Sequence, residues 1–169
     1  NIELTFFADI SKIEELKNPL LIASEILLEL RALTNPQIPV VLSFGKIEGK
    51  GATNVVPDLV EIAGTLRCFD ENLRLQLHEQ IELICQIITE KYLTHCVVKI
   101  LKGYPVLIND MKVTAKTKSL AQDFIGAKNI FDMPTRMGSE DFAYYTHLVP
   151  ACFYRLGVGN KKKGIASSI

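Results

Sequence analysis

Two long amphipathic segments, separated by segments rich in β-branched residues, restrict the fold of this chain more than any other feature. The first, "PLLIASEILLELRAL", begins at Pro19 and ends before Pro36 and Pro39. Its apolar residues recur at helical spacing, at Ile22, Ile26, Leu30 and Leu33. A proline in the first turn followed by such a stripe predicts a helix that buries one face.

The second amphipathic segment follows Asp70 and runs to about Leu93. Asp70 is a favourable N-cap because its carboxylate can accept a hydrogen bond from a free backbone N–H of the first turn. The apolar stripe consists of Leu73, Leu77, Ile81, Ile84 and Ile88. The sequence therefore predicts a second helix with one buried face.

Four strand-like segments accompany these helices: "IELTFF", "VVLSFGKIEG", "LVEIAGTLRCF" and "CVVKILKGY". The resulting order, β-α-β-β-α-β, is the split βαβ arrangement known as ferredoxin-like. We therefore expect an α+β domain at residues 1–104, with two helices covering one face of a four-stranded antiparallel sheet.

The pattern changes after Tyr104. An extended linker, "PVLIND", precedes the helical segment "DMKVTAKTKSLAQDFIG", which Gly126 closes. A short strand or loop "NIFDMP", a short helix "FAYYTHL" and a final buried strand "ACFYRLGVG" complete the expectation. These pieces alone do not enclose a core, so residues 105–169 are interpreted as part of an α/β domain. The chain is interpreted as a fragment, because Asn1 already lies in a strand and Ile169 follows no turn or polar tail.

Charge and hydropathy exclude several classes of protein. Lys plus Arg equals Asp plus Glu at 19 each, and a zero balance argues against a nucleic-acid partner. An RNA-binding module of the same layout would also need stacking aromatic residues on its central strands, which "VVLSFGKI" and "CVVKILKGY" do not supply. No apolar run approaches the roughly 18 residues of a membrane helix, and no signal segment opens the sequence, so no membrane partner is expected.

The cysteines and histidines give no metal motif. Cysteines at 68, 85, 96 and 152 form no C-x-x-C pair, which excludes a zinc ribbon and favours free thiols in a reducing compartment, hence the cytoplasm. His78, His95 and His147 have no ligand at zinc-binding spacing, and we expect them at surfaces or helix ends.

Asn54 and Arg67 frame an otherwise apolar stretch, "GATNVVPDLVEIAGTLR". An Asn after a Gly-rich turn can simply hydrogen-bond its own backbone, and an Arg at a strand end can be solvated or paired with Glu61 or Asp70. A guanidinium is, however, the side chain best suited to hold a carboxylate through two parallel hydrogen bonds. If the Pro57–Asp58 turn joins neighbouring strands, both residues can lie on one rim of the sheet.

A second polar stretch is "MGSEDFAYY". Ser139 can cap a helix whose first turn carries Glu140 and Asp141, which is a purely structural role. Alternatively, the backbone N–H groups of Gly138 and Ser139 face a ligand anion, and one of the carboxylates acts as a general base or binds metal.

The stretch "NVVPD…GTLRCFD" followed by "MGSEDFAYY…VPACFYRLGVGN" resembles the aminoacylase and hippurate-hydrolase branch of the two-metal metallopeptidases. That branch includes the indole-acetyl-amino-acid hydrolases and is related to carboxypeptidase G. The resemblance implies a ferredoxin-like lid, which also dimerises, inserted into a two-metal α/β catalytic domain. It also implies hydrolysis of the amide bond of N-acyl amino acids or small peptides, by metal-activated water.

By this resemblance, Asn54, Arg67, Gly138, Ser139 and Glu140 bind substrate, and the parent enzyme holds two divalent ions such as zinc or manganese. The metal ligands and catalytic Glu of the family have no counterpart here, and "ADISKIEELKNP" lacks the His that the lid normally carries. We therefore assign this chain no catalytic or metal-binding residue and expect it to be inactive alone. The alternative is a ferredoxin-like dimerisation or small-ligand-binding module without catalysis.

Overall fold

The structure is a computed structural model that describes residues 2–7, 17–34, 37 and 39–165. The side chains of residues 2–7 and of Lys161 lie outside what it describes. The described residues fall into two compact units, one within Asn1–Val106 together with Met137–Ser139, the other within Leu107–Arg136 together with Glu140–Ile169. The expected division after residue 104, with a lid before it and a catalytic part after it, stays a prediction.

Four strands and two helices make up most of the first unit. In chain order they are β1 (Ile2–Phe7), α1 (Pro19–Ala32), β2 (Val40–Gly49), β3 (Leu59–Cys68), α2 (Glu71–Lys91) and β4 (His95–Ile100). The strands form one sheet in the order β2-β3-β1-β4, and each neighbouring pair is antiparallel. The mixed α and β class with a small antiparallel sheet is thereby confirmed, whereas the ferredoxin-like lid assignment stays a prediction.

Side-chain caps fix the starts of both helices. The Asn18 side chain accepts a hydrogen bond from the Leu20 N–H at 2.9 Å, next to Pro19 in the first turn of α1. The predicted N-cap of α2 is present, since the Asp70 carboxylate accepts from the Leu73 N–H at 2.8 Å. The helix α2 stops at Lys91, before the predicted end, because Leu93 turns into the left-handed region with a φ of 50°.

The core of the first unit lies between the two helices and the sheet. Its buried members come from α1, β3 and α2 and include most of the two predicted apolar stripes: Ile22, Ala23, Ile26, Leu30, Val60, Ile62, Ile81, Cys85 and Ile88. Each large aliphatic side chain buried in this way contributes about 1.5–3 kcal/mol. One expectation is wrong here: His78, predicted for a surface or helix end, is buried in the middle of α2 with 8% of its surface exposed. Cys85 and Thr89 are also buried outside the predicted stripe, whereas Leu73 and Ile84 of the stripe are only half-buried. The buried face of α2 is therefore rotated relative to the predicted stripe.

Helix α3 (Met111–Ile125) and the single turn α4 (Ala143–Thr146) are the α-helices of the second unit. The Asp110 carboxylate caps α3 by accepting from the Val113 N–H at 2.8 Å, and Gly126 ends it with a φ of 85°. Both ends match the prediction. The short helix is smaller than predicted, since it begins one residue after Phe142 and ends before His147.

Two predicted strands differ from the structure. β4 ends at Ile100, the residue that pairs with Ile2 of β1, rather than at Tyr104. The segment 151–159 is predicted as a buried strand, but it forms no strand in the part of the chain that the structure describes. No neighbouring strand is available to it there, and a strand needs a partner for its backbone groups.

The Asn109 side chain takes the place of such a partner at one point of that segment. Its amide nitrogen donates to the Phe153 carbonyl at 2.9 Å, and its oxygen accepts from the Phe153 N–H at 2.7 Å. The Asp110 N–H donates to the Ala151 carbonyl at 2.8 Å. Backbone pairing is thus satisfied locally by one amide side chain.

None of the helices in the described part of the chain combines the length and the apolar character needed to cross a membrane.

Candidate functional site

Asn54 lies at the tip of a tight turn between β2 and β3. The turn is closed by two backbone hydrogen bonds between Ala52 and Val55, at 2.9 and 3.0 Å, with Thr53 and Asn54 between them. The Asn54 side chain is exposed and makes no hydrogen bond to any described residue. The carboxamide is therefore open to a ligand, and the turn is held by its backbone rather than by this side chain.

The structure does not bring Asn54 and Arg67 together within this chain. Gly49 pairs with Val60 at the end of the β2–β3 hairpin that carries Asn54, whereas Val41 pairs with Arg67 at the other end. Antiparallel strands rise about 3.4 Å per residue, so roughly 25 Å of β3 separates the two ends. The one-rim arrangement is wrong for a single copy of the chain, because the connection is a hairpin whose length is set by ten-residue strands.

Arg67 instead lies against the segment Met137–Ser139, which belongs to the same unit. Its Nη1 donates to the Met137 carbonyl oxygen at 2.7 Å. The side chain is exposed and forms no other hydrogen bond or ion pair with the described residues. A guanidinium carries five N–H donors, so most of them remain available to a ligand once the Met137 contact has fixed its position.

Gly138 and Ser139 follow Met137 directly and are exposed. Neither backbone N–H donates a hydrogen bond to any residue that the structure describes. A guanidinium and an unpaired backbone N–H each suit an anion with several oxygen atoms, such as a carboxylate. The Gly138 N–H, however, shares a trans peptide with the Met137 carbonyl and therefore points away from the guanidinium bound to that carbonyl.

Glu140 belongs to the second unit and is half-buried, and its carbonyl accepts from the Ala143 N–H at 3.2 Å. The capping role considered for Ser139 is not realised, because α4 begins at Ala143 and no side chain caps it. Asp141 is exposed, and its carbonyl accepts from the Tyr144 N–H at 3.1 Å.

The donor set needed for a metal centre is absent from the described residues. Among them, no group of three or more His, Cys, Asp or Glu side chains lies close enough to hold a metal ion. This part of the chain therefore does not fit a two-metal site, and no step of chemistry is assigned to a metal within it.

Sequence reasoning missed the partner of Arg67. Met137 lies 70 residues from Arg67, and the contact uses its backbone carbonyl, which every residue possesses. No side-chain pattern can identify such a partner. Most of the stretch that lacks the lid His, residues 8–16, lies outside the described residues. So do Asn1 and residues 166–169, on which the interpretation of the chain ends rests.

Comparison with known proteins matches residues 15–168 to the model of peptidase family M20/M25/M40. An IAA-amino acid hydrolase, ILR1-like 4, of Arabidopsis thaliana is 31% identical over 159 residues, which are 89% of this chain and 36% of that relative. The N-acetyl-L-cysteine deacetylase of Bacillus subtilis is 31% identical over 144 residues, 83% of this chain and 34% of its own length. The chain therefore spans little more than a third of these curated relatives.

Solved structures share the fold. A dinuclear metal-binding peptidase of the M20 family from Bacillus subtilis superposes with a TM-score of 0.68 at 23% identity, over 88% of this chain and 37% of that one. The structure of AtUAH in complex with glyoxylate gives a TM-score of 0.70 at 20% identity, also over 88% of this chain and 37% of that one.

Proposed function

The chain belongs to peptidase family M20/M25/M40, and from this premise we propose that it forms part of a metal-dependent amidohydrolase acting on N-acyl amino acids or small peptides. In this proposal residues 1–104 are a ferredoxin-like lid, and residues 105–169 are part of the catalytic domain. The enzyme as a whole is a hydrolase of this family, as its relatives are. Its substrate class and the role of this chain belong to the proposal.

The hydrogen bond between Arg67 and Met137 is the observation that carries the proposal. It fixes a guanidinium beside the segment that contains Gly138 and Ser139, whose N–H groups have no partner among the described residues. The remaining donors of the guanidinium suit the free carboxylate of an N-acyl amino acid, which offers two oxygen atoms in one plane. Glu140 and Asn54 are the remaining members of the proposed substrate site.

Asn54 lies at the far end of the hairpin from Arg67, so the two side chains of one copy do not bind the same substrate molecule. In a homodimer, Asn54 of one copy can instead contribute to the substrate site of the other copy. Support for pairing comes from the sheet order, in which β2 is an edge strand with one side unpaired among the described strands. Light scattering over a range of protein concentrations tests this: a monomer at every concentration would remove the dimer from the proposal.

Two divalent ions, zinc, manganese or similar, would activate the attacking water in the complete enzyme. We assign them no ligand in this chain, which we expect to be inactive alone. Elemental analysis after dialysis against zinc and manganese measures metal bound per chain. Near-stoichiometric metal would contradict the assignment, and hydrolysis of N-acetyl amino acids by this chain would contradict the expected inactivity.

Arg67→Ala tests the carboxylate clamp in the metal-loaded enzyme that contains this chain. A hydrogen bond to a charged group is worth about 1.5–3 kcal/mol, so KM for N-acyl amino acids should rise about 10- to 100-fold. Substrates with an esterified carboxylate should change little. Arg31→Ala, on the exposed face of α1, is the matched control and should change neither. Equal losses for free-acid and ester substrates would rule out the clamp.

A binding module without catalysis is the second candidate, favoured by the lack of a metal-ligand group among the described residues. It predicts that the isolated chain binds N-acetyl amino acids with the same Arg67 dependence, in the absence of any metal. Calorimetric titration with and without a chelator separates the two candidates. A cytoplasmic location is part of both, because all four cysteines are free thiols.

A further inference from the structure

A groove of about 400 Å³ runs between α2 and β4, away from Arg67 and its partners. Two cysteines from different elements line it: Cys85 from the buried face of α2 and Cys96 from β4. The side chains of Glu82, Glu90 and His95 also line the groove. The sequence analysis treats these cysteines only as free thiols, and the proposed amidohydrolase activity does not use them.

The two cysteines line the same groove but differ in access. Cys85 has 1% of its surface exposed, whereas Cys96 is half-buried. A hydrogen bond between the two thiols is the main reason why the pKa of Cys85 is raised well above its usual value, and burial adds to the shift. The raised pKa disfavours the Cys85 thiolate before any oxidation, and the more exposed Cys96 is the sulfur that a reagent in the groove meets first.

We propose that Cys85 and Cys96 form a dithiol site that a peroxide oxidises reversibly to a disulfide joining α2 to β4. The geometry supports this through the groove that both residues line and through the short connection from α2 to β4, which a bond between them would bracket.

The step balances with hydrogen peroxide as the oxidant. Cys96 loses its proton to water, and its thiolate attacks one peroxide oxygen, giving a sulfenic acid while hydroxide leaves and takes up a proton. Cys85 then gives up its proton, and its sulfur attacks the Cys96 sulfur and displaces hydroxide, which leaves as water. Overall, two thiols and one peroxide yield one disulfide and two molecules of water.

The charges around the groove favour a small neutral oxidant over a larger anionic one. Glu82 and Glu90 are the carboxylates of the lining, and the negative field of Glu82 already acts on Cys85. An anionic reagent such as oxidised glutathione is repelled by the same groups. We therefore expect peroxide to oxidise the pair faster than oxidised glutathione does at equal concentration.

The test is peptide mapping by mass spectrometry of the native full chain after treatment with stoichiometric hydrogen peroxide. We expect a cross-linked peptide containing Cys85 and Cys96, a loss of two of the four titratable thiols, and full reversal by dithiothreitol. A higher melting temperature of the oxidised form, lost on reduction, is expected in the same samples, because the bond restricts the unfolded chain.

Variants separate this site from general cysteine oxidation. The Cys68→Ser/Cys152→Ser double variant removes the other two thiols and should form the cross-link as the unaltered chain does. Cys96→Ser should leave Cys85 reduced under the same treatment. The wild-type map decides the matter even if that variant fails to fold. A cross-link between other cysteines, irreversible oxidation of Cys96 without a cross-link, or formation only after denaturation would each overturn the proposal.

Discussion

The two units of the chain bury their apolar residues very differently. In the described residues, every buried apolar side chain belongs to the first unit except Ala143. Helix α3 has no buried residue, and Phe124 and Phe131 are 89% and 78% exposed. Both units nevertheless contain helices with the same carboxylate cap. The comparison shows that local signals suffice to form a helix, whereas a core requires a second layer that faces it.

The largest expected difference between the two units is in the free energy of unfolding lost when an apolar side chain of a helix is truncated. Ile81→Ala in α2 should lower the free energy of unfolding by about 2–5 kcal/mol, because Ile81 is fully buried and a cavity remains. Phe124→Ala in α3 should change it by less than about 0.5 kcal/mol, since that ring is exposed. Urea denaturation followed by circular dichroism measures both. Similar losses for the two variants would mean that Phe124 is covered in solution.

A smaller difference is expected at the two helix caps. Asp70→Ala should lower the stability of the first unit by about 1 kcal/mol, because the Leu73 N–H loses its acceptor. Asp110→Ala removes an identical bond from Val113 but should leave the unfolding of the first unit unchanged. Hydrogen exchange at Leu73 and Val113 reports each helix by itself. Loss of protection at Leu73 in the Asp110 variant would show that the units unfold together.

A still smaller effect is expected at the helix C-termini, where a substitution should raise the free energy of unfolding instead of lowering it. Leu93 occupies a left-handed position where the Thr94 N–H bonds to the Thr89 carbonyl at 2.9 Å, a position that α3 gives to Gly126. Leu93→Gly should raise the free energy of unfolding by a few tenths to about 1 kcal/mol. Glycine relieves the backbone strain of the left-handed conformation, but its greater freedom in the unfolded chain offsets part of that gain. Leu93→Ala keeps the Cβ and serves as the control. A thermal melt that shows equal gains for both would point to the 80% exposed leucine side chain instead of its backbone.

The smallest expected effect is a pH dependence confined to the first unit. Burial lowers the pKa of His78, the positive charges of Arg74 and Lys102 lower it further, and Glu82 opposes them. Its Nδ1 has no hydrogen-bond partner among the described residues. Because the unfolded chain binds the proton more readily, stability is complete above about pH 6.5 and falls as the pH drops below it.

His78→Leu tests this pH dependence, since it removes the titrating group and the unpaired nitrogen together. Melting temperatures between pH 5 and pH 8 should then decline less on the acidic side. His147→Gln, in the second unit, is the control for the removal of one imidazole from the chain. An identical acid response in the His78 variant would assign the effect to carboxylates such as Glu25, whose pKa is lowered by Lys91 and Tyr92.

Most of the first unit could be predicted from its sequence because each element carries its own signal. The spacing of Ile22, Ile26 and Leu30 identifies the buried face of α1, and Asp70 marks the start of α2. The prediction was less accurate wherever an element depends on a neighbour. β4 ends at the residue that pairs with Ile2 of β1, and the segment around Phe153 forms no strand, since no described strand lies beside it.

For the candidate site, the sequence by itself determined the types of group: a guanidinium, a carboxamide, two backbone amides and a carboxylate, with the family to which they belong. Only the tertiary structure decided which of them meet. It brings Arg67 to the Met137 carbonyl and separates it from Asn54 by the length of a hairpin. The physical reason is that local patterns encode periodicity and caps, whereas contacts between distant residues depend on strand register and on backbone groups that are the same in every residue.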